Sequence, residues 1–129
     1  MRAYCTRLYT DDAGASRFED VAIPLSEAYT NPPASPLPFA AFVPTAGSFF
    51  VGVPASWDGD MAHPCPRRQI LVTVRGEYRV TVTDGTTRRF PPGSVLLAED
   101  TTGQGHMTST ISADDVIIFA VALPAADDR

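Results

Sequence analysis

The sequence contains no lysine, because all ten of its basic residues are arginine. This excludes catalysis through a Schiff base on a lysine amine. Cysteine is scarce, with two residues and no CxxC pair, so a zinc site built on thiolates is not expected. Hydrophobic runs never approach the roughly 18 residues that span a membrane, and residues 1–12 lack an apolar stretch of the signal-peptide type. We therefore expect a cytoplasmic protein with no membrane partner, in which Cys5 and Cys65 are reduced thiols.

The charge pattern limits the partners further. The net charge is -5, and the two adjacent pairs of arginines, at 67–68 and 88–89, have acidic residues nearby. A nucleic-acid-binding domain needs a basic stripe or face. We expect no nucleic-acid partner.

The alternation of short β-type runs with turn signals predicts one all-β domain. A chain of 129 residues has the length of a single domain, and no segment keeps a helical period of apolar residues. Short strands punctuated by glycine and proline turns are typical of a sandwich or barrel. The predicted strands are 49–53, 69–74, 78–83, 94–98, 106–111 and 116–123, and the strongest hairpin signal is Asp84-Gly85.

The first third of the chain has a different character. Of the 12 prolines, five lie between Pro24 and Pro38, which predicts an extended, irregular arm. A short helix around residues 26–28 is the one helical element that the pattern allows. We divide the single domain into residues 1–48 (N-terminal arm and edge strands), 49–123 (barrel core) and 124–129 (tail).

Two stretches resemble the sequence motifs of the cupin superfamily. In residues 63–77, Gln69 and Gly76 have the spacing of the first motif, in which two histidines precede a glutamate and a glycine follows it, and His63 lies near the position of the histidine pair. Residues 84–96, with Pro91-Pro92-Gly93, resemble the second motif, and residues 99–106 resemble a subfamily of small single-domain bacterial cupins. The resemblance extends over about half of the chain, from Trp57 to Leu123. It implies a double-stranded β-helix, or jelly-roll, barrel with a ligand cavity inside.

The metal ligands of the cupin motifs are not retained. Gln69 stands where the family has its glutamate, Leu96 stands where the second motif has its histidine, and His63 is one residue out of register. We therefore expect no cofactor. If a divalent transition metal is bound, His63, Gln69 and His106 are the candidate ligands, although neutral glutamine is a poor one.

His63, His106 and Asp100 are the candidate catalytic residues. Imidazole is suited to general acid or base catalysis near neutral pH, and the His63 loop should open onto the barrel mouth. Strand parity from Leu96 directs Asp100 inward, where its carboxylate could orient His106. The alternatives are that His63 is an ordinary loop residue and that Asp100 caps the turn at residues 101–103.

The candidate substrate-binding residues follow from strand parity and position. In the strand at 69–74, Gln69, Leu71 and Thr73 share a face of mixed polarity that could line a cavity, whereas Ile70, Val72 and Val74 are predicted to form inter-sheet core. The other candidates are Leu96, Tyr78, Trp57 as an aromatic lid and Arg67 as an anion-binding fork. For Arg67 and Arg68 the alternative is an ion pair with Asp58, Asp60 or Glu99.

Three functions remain open. The first is an enzyme that performs isomerase, cyclase or lyase-type acid–base chemistry on a small organic molecule without a tightly bound metal. Similar small cupins act as cyclases and tailoring enzymes in bacterial secondary metabolism, so the resemblance implies such a setting. The second is a non-catalytic ligand-binding or sensing cupin, and the third is a metal-dependent enzyme with a rearranged ligand set. The resemblance also implies a homodimer formed through added edge strands.

Overall fold

The structure is a computed structural model, and it describes residues 1–28, 32–59 and 61–125. These residues form strands and turns, with no helix. Within these ranges no helix is long and apolar enough to cross a membrane. The strands are β1 (Arg2–Thr10), β2 (Ser16–Pro24), β3 (Ser26–Ala28), β4 (Leu37–Phe39), β5 (Gly47–Val53), β6 (Gln69–Arg75), β7 (Tyr78–Thr81), β8 (Thr87–Phe90), β9 (Val95–Ala98), β10 (Met107–Thr110) and β11 (Val116–Ala122).

Two sheets form the body of the domain. Six strands pair in the order β2-β1-β9-β6-β11-β5, and three pair in the order β10-β7-β8. The pairing of β1 with β9 is parallel, whereas the other pairings among these described strands are antiparallel. The chain crosses repeatedly from one sheet to the other, because β6, β9 and β11 belong to the larger sheet and β7, β8 and β10 to the smaller one. This arrangement is a jelly roll, so the predicted all-β jelly-roll barrel is confirmed.

The hydrophobic core lies between these two sheets and takes side chains from both. Leu8, Leu96 and Val116 of the larger sheet and Tyr78 and Val80 of the smaller sheet are all at most 2% exposed, and they belong to one apolar cluster. Burying an aliphatic or aromatic side chain of this size contributes roughly 1.5–3 kcal/mol. The sheets therefore stabilise each other, and the space between them is the interior of the barrel.

On β6, the face predicted to line a cavity does point inward, but the face predicted to form inter-sheet core does not. Ile70, Val72 and Val74 do not form inter-sheet core, because Val74 is 52% exposed and the other two are half-buried. Gln69 and Thr73, on the alternate face, are 9% and 2% exposed. The period of two holds as predicted, but β-branched residues suit either face of a sheet, so apolar character alone does not select the inner one.

The N-terminal region is built into the larger sheet. β1 lies between β2 and β9, and β2 and β5 form the two edges of that sheet. Residues 26–28 form β3 and not a short helix; β3 pairs with β4, where Pro38 is tolerated because both strands of a two-stranded sheet are edge strands. Of the predicted tail, residues 126–129 lie outside the described part of the chain.

The β7–β8 hairpin forms at the Asp84-Gly85 turn, as predicted. Gly85 has a φ of +89°, a conformation that glycine adopts without steric cost. The backbone N–H of Thr86 donates to the Asp84 carboxylate over 2.9 Å. This hairpin carries Tyr78 to its position opposite the larger sheet.

Candidate functional site

A cavity of about 350 Å³ lies between the two sheets. Its wall is mainly apolar and comes from both sheets and from the loop that follows β5. The apolar lining residues are Val51, Val53, Pro54, Trp57, Pro66, Leu71, Tyr78, Val80, Leu96, Ala98 and Ile118. Such a cavity is at the small end of the range for small-molecule sites.

Polar side chains of the wall include both histidines of the chain, His63 and His106. The two residues form an antiparallel β-bridge, in which each backbone N–H donates to the other's carbonyl over 3.1 Å. Their ring centroids are 5.3 Å apart. Residues that are 43 positions apart in sequence are thereby held side by side at the cavity wall.

Asp100 is hydrogen-bonded to His106 from behind the cavity wall. Its Oδ2 lies 2.5 Å from His106 Nδ1, and the carboxylate is completely buried. The other oxygen, Oδ1, has no hydrogen-bond partner among the described residues, so the carboxylate does not cap the turn at residues 101–103. Because the carboxylate accepts a hydrogen bond, Nδ1 of His106 carries a proton and Nε2 is the nitrogen left as an acceptor when the ring is neutral.

The turn before His106 is held by the β1–β2 hairpin. The buried Ser16 hydroxyl donates to the Gly105 carbonyl over 2.6 Å, and the Gln104 backbone N–H donates to the Gly14 carbonyl over 2.9 Å. Gly105 has a φ of +75°, and a Cβ added there would lie 2.0 Å from the carbonyl carbon of His63. Only glycine therefore allows the two histidine-bearing segments to approach this closely. Sequence reasoning missed Ser16, which carries no local signal for such a role.

Cys65 and Gln69 lie beside the histidines. The Gln69 Nε2 donates to Cys65 Sγ over 3.3 Å, and the Cys65 backbone N–H donates to the Asp100 carbonyl over 2.9 Å. Burial raises the pKa of the Cys65 thiol, which keeps it protonated and weakly nucleophilic at neutral pH. Cys65 is free, and its contacts indicate a packing role beside the Asp100–His106 pair.

Four of the predicted substrate-binding residues besides Gln69 line the cavity. These are Leu71, Leu96, Tyr78 and Trp57. Tyr78 is 2% exposed, stacks on Phe90, and has a hydroxyl without a hydrogen-bond partner among the described residues. Burial raises its pKa. Trp57 is 41% exposed, so its ring belongs both to the cavity wall and to the outer surface.

Arg67 is not among the lining residues. Its guanidinium lies over the Phe49 ring at 5.5 Å, with Nη1 3.5 Å from Gln69 Oε1. Arg68 instead forms the ion pair that was the alternative for these arginines: two of its nitrogens lie 2.6 and 2.7 Å from Glu99 Oε2. Of the other carboxylates considered, Asp60 lies outside the described residues.

Glu99 is the centre of an ion-pair cluster that includes Arg7 as well as Arg68. The Arg7 Nε lies 2.7 Å from Glu99 Oε1. Burial alone would raise the pKa of Glu99, but the hydrogen bonds and charges of the two arginines outweigh it and hold the pKa below its usual range. Because Glu99 and Asp100 are adjacent on an extended chain, they point to opposite sides, and this cluster contributes to stability and not to the cavity.

The residues at the cavity do not fit a cupin-type metal site. Among the described residues, no three His, Cys, Asp or Glu side chains converge. Leu96 presents only carbon, the Gln69 amide is neutral and a poor ligand for a transition metal, and the two histidines alone are too few. A catalytic metal needs three or four well-placed ligands.

No protein-family model and no curated protein matches the sequence. Among solved structures, the chain is similar to the cupin domain of Schizosaccharomyces pombe Cnp3. The alignment covers 95% of this chain and 84% of that domain, with 16% sequence identity and a TM-score of 0.46. The likeness is one of fold alone.

Proposed function

We propose that the chain binds a small organic molecule between its sheets and acts on it by proton transfer. His106 is the general base, Asp100 orients it, and His63 is the second acid–base group. The observation that supports this proposal is the hydrogen bond from His106 to a completely buried carboxylate at the wall of an apolar cavity. Isomerase, cyclase and lyase reactions that begin by proton removal all need such a base.

The Asp100–His106 pair has the features of an oriented base. The carboxylate selects the ring tautomer that leaves Nε2 free, and its negative charge stabilises the imidazolium that forms when Nε2 takes a proton. Only 9% of His106 is exposed, so water competes little for that nitrogen. In a poorly hydrated site these electrostatic effects are stronger than in water.

His63 complements His106 because its environment is different. It is exposed, so it can exchange protons with solvent. Its Nδ1 lies 3.0 Å from the Pro64 carbonyl, which again leaves Nε2 as the acceptor in the neutral ring. One buried and one solvated imidazole, side by side, can remove a proton at one atom of a ligand and deliver one at another.

A base-catalysed elimination tests the proposal without knowledge of the natural substrate. The probe is 5-nitrobenzisoxazole, a compact neutral bicycle. A base removes the proton from its C3, the C–H electrons complete a nitrile, the N–O bond breaks, and the oxygen leaves as a coloured phenolate. We expect wild-type turnover above that of free imidazole, and at least a tenfold loss in His106→Gln, within the roughly 10²–10⁴-fold that a positioned base contributes.

The controls separate chemistry from binding. Ser109→Ala, on the face of β10 opposite the cavity residue Thr108, should keep wild-type turnover. Quenching of Trp57, the single tryptophan of the chain, reports binding of the probe. Equal turnover in the His106→Gln and Ser109→Ala variants would show that the acid–base assignment is wrong. Saturable quenching without any turnover would favour the non-catalytic ligand-binding or sensing function.

A further inference from the structure

The wall of the cavity contains no group with a permanent charge. None of the described lining residues is Asp, Glu, Lys or Arg. The nearby cations are directed elsewhere, Arg67 over Phe49 and Arg68 to Glu99, and the Asp100 carboxylate is engaged with His106. A charged ligand would lose its hydration here without meeting a counter-charge, which weakens its binding. The wall therefore selects for uncharged molecules.

Three polar side chains of the wall, those of Gln69, His63 and His106, lie where β6 begins, and Tyr78 and Thr108 contribute hydroxyls to the wall as well. Gln69 starts that strand beside the histidines, and the next inward residue, Leu71, pairs with Leu96 to continue an apolar wall. At the polar end, the imidazole nitrogens left free by Asp100 and by the Pro64 carbonyl are acceptors in the neutral rings. An acceptor is satisfied by an O–H donor, so this end is suited to a ligand hydroxyl.

The size of the cavity completes the description of the ligand. A volume of about 350 Å³, filled at the packing density of a protein interior, holds roughly 15 non-hydrogen atoms. The space lies between two sheets of short strands, which favours a compact molecule over a long chain. A bicyclic ring system with one substituent has this size and shape.

We propose that the cavity takes an uncharged, hydroxylated bicyclic ring compound of the naphthol type, with its apolar rings against the Leu71–Leu96 wall and its hydroxyl hydrogen-bonded at the histidine end. The observation behind this is the absence of charged side chains from the described cavity wall together with two imidazole acceptors at one end. The inference rests on the proposed function, because it names the substrate class of the same site. It adds that the site rejects charged ligands.

Isothermal titration calorimetry of the full chain at pH 7 with three matched probes tests this inference. The probes are 2-naphthol, 2-methoxynaphthalene, which lacks the hydroxyl donor, and 2-naphthoate, which carries a charge. We expect 2-naphthol to bind most tightly. The methyl ether should bind about fivefold more weakly, the effect of one hydrogen bond, and the carboxylate at least tenfold more weakly.

Two substitutions on β6 locate the binding. Leu71→Trp fills the cavity and should reduce 2-naphthol affinity more than tenfold, whereas Val74→Trp, on the exposed face of the same strand, should leave it unchanged. Circular dichroism establishes that each variant is folded. If Leu71→Trp does not fold, Val53→Trp on the edge strand β5 fills the same cavity.

The outcomes distinguish this inference from the proposed function. If 2-naphthoate binds as tightly as 2-naphthol and the filling substitution abolishes both, the cavity is a binding site but the ligand class is wrong. If 2-naphthol binds equally well to the filled variant, or if none of the three probes binds, the inference is overturned. The acid–base proposal is then still judged by histidine-dependent turnover of 5-nitrobenzisoxazole.

Discussion

Replacing Gly105 by alanine should separate the two histidine-bearing segments at a cost that the structure allows us to work out. The added Cβ would lie 2.0 Å from His63 C, 2.2 Å from His63 O and 2.3 Å from Pro64 N. These are backbone atoms, so the segments must move apart. The move breaks two His63–His106 hydrogen bonds, each contributing about 1 kcal/mol, and alanine at a φ of +75° costs a further 1–2 kcal/mol or so.

Gly105→Ala should therefore reduce the free energy of unfolding by roughly 3–4 kcal/mol, which corresponds to a fall in Tm of about 10–15 °C for a domain of this size. Gly85→Ala is the matched control, because Gly85 also has a positive φ (+89°) but has no atom within 4 Å of an added Cβ. This variant should lose only the free energy due to alanine at a positive φ, about 1–2 kcal/mol. Urea unfolding and turnover of 5-nitrobenzisoxazole are measured for both variants. If Gly105→Ala is no less stable than Gly85→Ala and equally active, the close approach does not position the histidines.

Two further predictions concern the buried charges. In ¹⁵N–¹H spectra, neutral His106 should carry its proton on Nδ1, and Asp100→Ala should remove this preference; a proton on Nε2 in the wild-type protein would contradict the assigned base. Glu99→Gln should reduce the free energy of unfolding by about 1–3 kcal/mol at pH 7, because it removes the charge that two arginines pair with. Since the folded-state pKa of Glu99 is lowered, this stabilisation is complete above the unfolded value of about 4.3 and disappears as the pH falls through the folded-state pKa. Urea unfolding at pH 7 and in acid measures this difference in stability. Glu77→Gln is the control: its partner Arg89 is 67% exposed, so this substitution should reduce the free energy of unfolding by under about 1 kcal/mol.

A loss in Glu99→Gln that persists unchanged in acid would show that packing, and not charge, accounts for it. A Glu77→Gln variant as unstable as Glu99→Gln would show that burial of the ion pair has no influence. Either result would remove the electrostatic explanation of the Glu99 cluster.

Much of the candidate site could be predicted because strand parity is a local property. Parity placed Gln69, Leu96 and Asp100 on inward faces, and all three are buried. Parity could not predict the position of the Arg67 guanidinium, because this side chain is long enough to lie over Phe49 instead of entering the cavity. For Asp100, the sequence could not distinguish capping of the turn from orientation of His106, because both partners lie within six residues of it along the chain.

The homodimer, the cytoplasmic location and the lack of a bound metal stay predictions. They concern what surrounds the chain, and the fold of a single copy does not decide them. Size measurement by light scattering and metal analysis of protein purified without an affinity tag would test the first and the last.

By itself, the sequence determined the strand period, the positions of the main turns and the all-β class. These depend on backbone sterics and on neighbours within a few residues, as the Asp84-Gly85 hairpin shows. Only the tertiary structure decided that the Ile70–Val74 face of β6 is not core, that β1 lies within the larger sheet, and how His106 is held. Each of these depends on contacts between distant segments, such as the Ser16–Gly105 hydrogen bond across 89 residues, and no local pattern encodes which distant surface a strand will meet.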